Sequence, residues 1–203
     1  INYAKEVLGK RISSSIYISL TDHINFALER YKTGIVFDNP LAQEVKSFYR
    51  NEYLVGEYAV AMIERKLGIK LPADESASIA MHFLNAEYNT VMSDTMHITT
   101  LIREILELIE ETVKKPLDNT EINYSRFVSH LKFFAFRMFS GEEIIKQDEE
   151  YNNMVISLYP KAFSVVEKVA YYTKKKYNCS MAVEERVNMT IHIRRIYPNI
   201  EKE

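Results

Sequence analysis

Long apolar runs are missing from this 203-residue sequence: with no stretch of about 18 hydrophobic residues, nothing in it reads as a membrane-spanning helix or a secretory signal. Cysteine is nearly absent as well. Cys179 stands alone, which excludes an internal disulfide and suits the reducing cytoplasm. Glycine and proline number five each, so long segments run without a breaker while Leu, Ile, Ala, Glu, Lys and Met are plentiful, a balance that favours helix over strand. A basic surface is lacking too. The formal net charge is −2 with Lys and Arg scattered among acids, and the densest run, Lys174-Lys175-Lys176, has no companion cluster and reads as a solvated helix face. Direct contact with RNA or DNA is therefore not expected of this chain. There is also no Gly-rich phosphate loop, nucleophile elbow, HExxH motif or Cys/His cluster, so neither an enzyme nor a metal protein is indicated and no cofactor is expected.

What remains is a sequence that should fold. Hydrophobic residues make up 47% and charged residues 27%, the mix of a globular protein, and the length suits two domains of about 100 residues. The first residue is Ile1 rather than Met, which suggests a piece of a longer protein. The strongest helical period places Ile98, Leu101, Ile102, Ile105, Leu108 and Ile109 on one face, with Arg103, Glu104, Glu107, Glu110 and Glu111 opposite, ending before Pro116. Weaker periods predict helices within the first twelve residues and near 19–31, 40–50, 54–68, 73–88, 121–139, 142–157, 159–177 and 182–196. The expected fold is all-α: two tandem homologous bundles of about five helices each. The polar stretch from Asn89 to Thr95 is the expected boundary, giving domains 1–93 and 94–203.

The halves resemble each other. His23-Ile24-Asn25-Phe26 with Arg30 matches His130-Leu131-Lys132-Phe133 with Arg137. Residues 48–84 laid without a gap on 158–194 pair Tyr49 with Tyr159, Val55 with Val165, Glu57 with Glu167, Lys66 with Lys176, Glu75 with Glu185 and His82 with His192. Two matches whose offsets differ by only three residues, each containing a histidine, indicate duplication. Four of the five histidines thus form two equivalent pairs, His23 with His82 and His130 with His192, and only His97 stands outside.

Packing alone rarely demands imidazole where Leu, Met or Gln would fill the space, so three chemical readings of the pairs compete. Asp22, His23 and His82 could supply a two-His, one-carboxylate metal set, but the second copy has Ser129 in place of Asp22. Acid–base catalysis suits a group that titrates near neutrality but lacks partner residues. The third reading is acceptance of a phosphoryl group from an external phosphohistidine. There the bond broken resembles the bond made, and the recipient needs little catalytic machinery.

The runs Ser19-Leu20-Thr21-Asp22-His23-Ile24-Asn25-Phe26-Ala27 and Glu75-Ser76-Ala77-Ser78-Ile79-Ala80-Met81-His82-Phe83 resemble the PTS regulation domain, or PRD, of BglG/SacY-type transcriptional antiterminators. The likeness covers nearly the whole chain as two PRDs in tandem. It implies that His23, His82, His130 and His192 are phosphorylation sites: the phosphocarrier HPr modifies the second PRD to activate, and a sugar-specific enzyme II modifies the first to inhibit. It further implies a homodimer in which each PRD pairs with its equivalent, and an RNA-binding domain ahead of the first PRD. Asp22 is a candidate for orienting His23, and Arg30 and Arg137 for clamping phosphate across the dimer. Both arginines lie two turns, about 10 Å, from their histidines, so contact within a copy is not assured. The rival readings are a PRD pair from a DNA-binding activator and a helical metalloenzyme.

Overall fold

The computed structural model describes residues 1–35, 37–140 and 148–202, and among them it contains ten helices and no strand. The chain divides into two compact units, Ile1–Thr99 and Thr100–Glu203. The first is built from α1 (Asn2–Leu8), α2 (Ile16–Thr33), α3 (Ala42–Phe48), α4 (Arg50–Leu67) and α5 (Glu75–Tyr88). The second contains α7 (Ile122–Ser140), α8 (Glu149–Leu158), α9 (Pro160–Tyr177) and α10 (Val183–Ile196), and the division falls within α6 (Met92–Val113).

Sequence periodicity found the helices, and chain punctuation set their ends. Gly9, Gly34 and Gly68 close α1, α2 and α4 in the left-handed conformation that glycine adopts without a Cβ clash. Asn89 and Asn178 do the same for α5 and α9. The α6 helix starts at Met92, six residues before its apolar period, so Ser93, Asp94 and Thr95 belong to its first turns rather than to a loop. Thr95 is buried there and its hydroxyl donates to Asn85 Oδ1 at the end of α5, which explains a polar residue inside a packed helix. The helix expected over 142–157 is α8 from Glu149, with Asp148 as its N-cap accepting from Glu150 N–H at 2.9 Å; residues 142–147 lie outside the described residues.

Each unit has its own core. In the first, Ile16 and Leu20 of α2, Val55 of α4 and Ile79 and Phe83 of α5 pack together, and Leu41, Val45, Tyr53, Ala77, Ala80 and Met81 form an adjoining cluster. In the second, Phe127, Leu131 and Phe134 of α7, Val165, Val166 and Val169 of α9, and Val187, Met189 and Ile193 of α10 are all buried.

The copies keep the same plan with one revealing difference. The α4 and α9 helices are both 18 residues long, and each is preceded by a tyrosine, Tyr49 or Tyr159, with φ near −125° and ψ near 55°. Within α4, Gly56 lets the backbone of Ser76 on α5 approach so closely that a Cβ at position 56 would meet its carbonyl oxygen at 2.0 Å. The gapless pairing puts Val166 at that position in the second copy, so α9 and α10 cannot repeat the same close approach.

Candidate functional site

The site of the first unit is assembled by two helices. His23 and Arg30 are seven residues apart on α2, which puts both on one face, and α5 supplies Glu75 in its first turn and His82 two turns later. The His23 and His82 rings lie 4.7 Å apart between centroids. Glu75 links the group: His23 Nε2 lies 2.9 Å from Oε2, and Arg30 donates from Nη2 to Oε1 at 2.7 Å. The Arg30 guanidinium also sits 4.7 Å over the Phe37 ring, so it is held from two sides.

The second unit repeats the arrangement. His130 and Arg137 lie on α7, Glu185 and His192 on α10, and the two imidazoles are 4.8 Å apart. Arg137 donates from both Nε and Nη2 to Glu185 Oε1. Here His130 Nε2 stands 3.7 Å from Glu185 Oε2, beyond hydrogen-bond reach, and both atoms are buried without a hydrogen-bond partner among the described residues. The Phe127 ring stacks on His192 at 5.7 Å.

These contacts govern charge. Glu75 is only 2% exposed. Burial by itself would raise its pKa, but the hydrogen bonds from His23 and Arg30 outweigh it and hold the carboxyl below the usual carboxylate range. Burial, reinforced by the neighbouring His23 ring, pushes His82 down to about 4. Burial together with His192 and Arg137 pushes His130 down to about 4, and burial and Arg195 lower His192. At neutral pH these three rings are uncharged and each keeps a nitrogen lone pair, the form in which imidazole acts as a nucleophile.

A pH dependence follows. Because the folded-state pKa of His82 and of His130 lies below the ordinary 6.5, the unfolded chain takes up the extra proton first as pH falls. Stability contributed by the neutral rings is full above about 6.5 and is lost between there and about 4, by roughly 2–3 kcal/mol per ring. Glu75 acts in the same direction at lower pH. A series of urea midpoints from pH 7.5 to 4 is expected to decline over this window, with a shallower decline for His82→Gln; a flat series, or an unchanged slope in the variant, contradicts the assignment.

Asp22 is the candidate from sequence for orienting His23. It is the seventh residue of α2 and exposed, and the carboxylate at the His23 ring comes from Glu75 on another helix. Consecutive helical residues point about 100° apart, so the sequence neighbour of a site residue rarely shares its face. Arg30 and Arg137 do enter the sites within their own copies, reaching across two turns through Glu75 and Glu185. Neither glutamate stood out as a site residue from sequence, although the gapless pairing of the halves already matched them. His97 lies on α6 and is exposed. Lys174 and Lys175 are exposed, and Lys176 bonds to Glu104, which also accepts from Tyr172 and Tyr177 at 2.7 Å each. No group of three or more potential metal-binding side chains occurs among the described residues.

The two units carry the same Glu–Arg–His–His arrangement on equivalent helices, each set built round a buried glutamate, so the site is duplicated along with the fold. The family model for the PRD domain matches residues 1–86 and again 103–196, and the chain belongs to that family as a tandem pair, the regulatory part of a transcriptional antiterminator and not an enzyme. Transcription antiterminator LicT of Bacillus subtilis (strain 168) is 39% identical over 97% of this chain and 71% of its own length. The Beta-glucoside operon antiterminator of Dickeya chrysanthemi is 36% identical over 100% of this chain and 72% of its own. Protein GlcT of Staphylococcus epidermidis is 28% identical over 93% of this chain and 67% of its own. These relatives favour the antiterminator reading over a DNA-binding activator. No helix among the described residues is long and apolar enough to cross a membrane.

Proposed function

We propose that the four paired histidines are phosphoryl acceptors through which the sugar phosphotransferase system sets the activity of an antiterminator. The observation that carries this reading is the duplicated site: in each unit two imidazoles lie within 5 Å, backed by a buried glutamate paired with a half-buried arginine. HPr modifies His130 and His192 and activates; a sugar-specific enzyme II modifies His23 and His82 and inhibits. The regulated genes serve β-glucoside use, in line with the name of the Dickeya relative.

A phosphoryl group brings up to about two negative charges and three acceptor oxygens, here into a half-buried setting whose arginine is already committed to a glutamate. The local packing has to change, and a self-complementary interface feels each added charge on both sides. The chain works as a cytoplasmic homodimer, each PRD against its equivalent. Support comes from Phe26 on α2 and Phe133 on α7, equivalent residues three positions after the first histidine of each copy, which are both 63% exposed. An RNA-binding domain precedes the first PRD and takes its dimeric arrangement from this module.

The inhibitory role of the first PRD is tested in the full-length protein with a reporter gene. His23→Ala is expected to give antitermination without inducer, the expression rising to the induced level. Full repression in the absence of inducer would overturn the role given to the first copy.

A further inference from the structure

Glutamate is the least expected member of each site, and it bears on which nitrogen reacts. An ionised carboxylate can only accept hydrogen bonds. Arg30 on Oε1 fixes Glu75 in that form, so the 2.9 Å contact between His23 Nε2 and Oε2 requires the proton to sit on Nε2. In a neutral ring the lone pair is then on Nδ1. In the second copy the same two atoms face each other at 3.7 Å, without a closed hydrogen bond. Both bonds from Arg137 fall on Oε1 of Glu185, which leaves Oε2 as a buried free acceptor facing the buried Nε2 of His130. His82 is turned the other way, with Nδ1 buried and unpartnered among the described residues.

We infer that His23 and His130 receive the phosphoryl group on Nδ1, with Glu75 and Glu185 as positioning residues that hold Nε2–H inward, whereas His82 can receive it only on Nε2. The inference rests on the phosphoryl-acceptor reading above and specifies its chemistry. The Nδ1 lone pair attacks phosphorus of the donor protein's phosphohistidine. The donor ring, protonated on its other nitrogen, loses its N–P bond, takes back the electron pair and leaves as neutral imidazole, while a new N–P bond forms at Nδ1. The Nε2 proton stays in place, and the positive charge that the acceptor ring gains lies against the glutamate carboxylate. Protons and electrons balance without a further reactant, and the glutamate favours the product ring.

Two measurements on the whole chain separate this inference from the reading beneath it. Long-range proton–nitrogen NMR spectra of the unmodified, ¹⁵N-histidine-labelled chain report tautomers without phosphorylation. The expected result is Nε2–H at His23 and His130; an Nδ1–H tautomer at either overturns the inference alone. The chain is then treated with enzyme I, HPr and phosphoenolpyruvate, and the isomer at His130 is read by isomer-specific antibodies and by nitrogen shifts. The expected product is the Nδ1-linked isomer, and Nε2-linked product at His130 overturns the inference while leaving the acceptor reading intact. Absence of label on every histidine overturns both. In Glu185→Gln, whose amide can bond either tautomer, the single isomer is expected to give way to a mixture; an unchanged single isomer would mean that Glu185 serves folding only.

Discussion

Replacing Arg30 by Met is expected to destabilise the first unit by about 3–5 kcal/mol, the cost of leaving a buried charge without its partner. Glu75 is 2% exposed and, among the described residues, would keep His23 as its side-chain partner. The Arg30→Met, Glu75→Leu double variant removes both charges and should recover most of the loss, because well-packed apolar residues commonly replace a buried ion pair at little cost. Urea unfolding of the two variants measures this directly. A loss below about 1 kcal/mol in the single variant, typical of a surface ion pair, would show that the pair is not structurally engaged. The Arg137–Glu185 pair of the second unit should behave alike.

Exchanging His130 and His192 for Asp is expected to tighten self-association at least tenfold, or about 1.4 kcal/mol. Among the arginines of the second copy, Arg137 is bonded to Glu185, Arg186 to Glu167 and the Met181 carbonyl, and Arg194 lies over the Tyr159 ring. Arg195 is exposed and close enough to act on His192. An Asp at position 192 therefore meets an available cation, while an Asp at 130 stands against Glu185 and competes for Arg137. The second effect disfavours the resting packing, and new charge-assisted bonds of about 1.5–3 kcal/mol each are within reach of a rearranged interface. Sedimentation over a concentration series, together with solution scattering, reads the change; an unaltered dissociation constant and radius would contradict a charge-driven switch.

Much of this organisation could be read from the sequence because duplication supplies an internal comparison. Once His23 was set against His130 and His82 against His192, the two sites and the helices bearing them were defined, and the spacing of Arg30 and Arg137 placed them on the same faces. Side-chain partners were harder to read. Glu75 and Glu185 start helices, where an acid usually faces solvent and the helix dipole, and only the packing of α5 on α2 and of α10 on α7 turns them inward. Asp22 attracted attention by adjacency, which in a helix separates side chains rather than joining them. The start of α6 escaped because Ser93, Asp94 and Thr95 interrupt the apolar period, and Thr95 satisfies its hydroxyl on Asn85 instead of in water. The difference between the tight α4–α5 contact at Gly56 and its counterpart at Val166 was visible as a substitution, but its meaning needed the position of the Ser76 carbonyl.

The central claim, that the paired histidines of the second copy are the HPr-dependent acceptors, is tested most directly by mass-spectrometric mapping of the chain after incubation with enzyme I, HPr and phosphoenolpyruvate, under conditions that preserve phosphohistidine. The account predicts label chiefly on His130 and His192. Label mainly on the exposed His97, or none on any histidine, would contradict it.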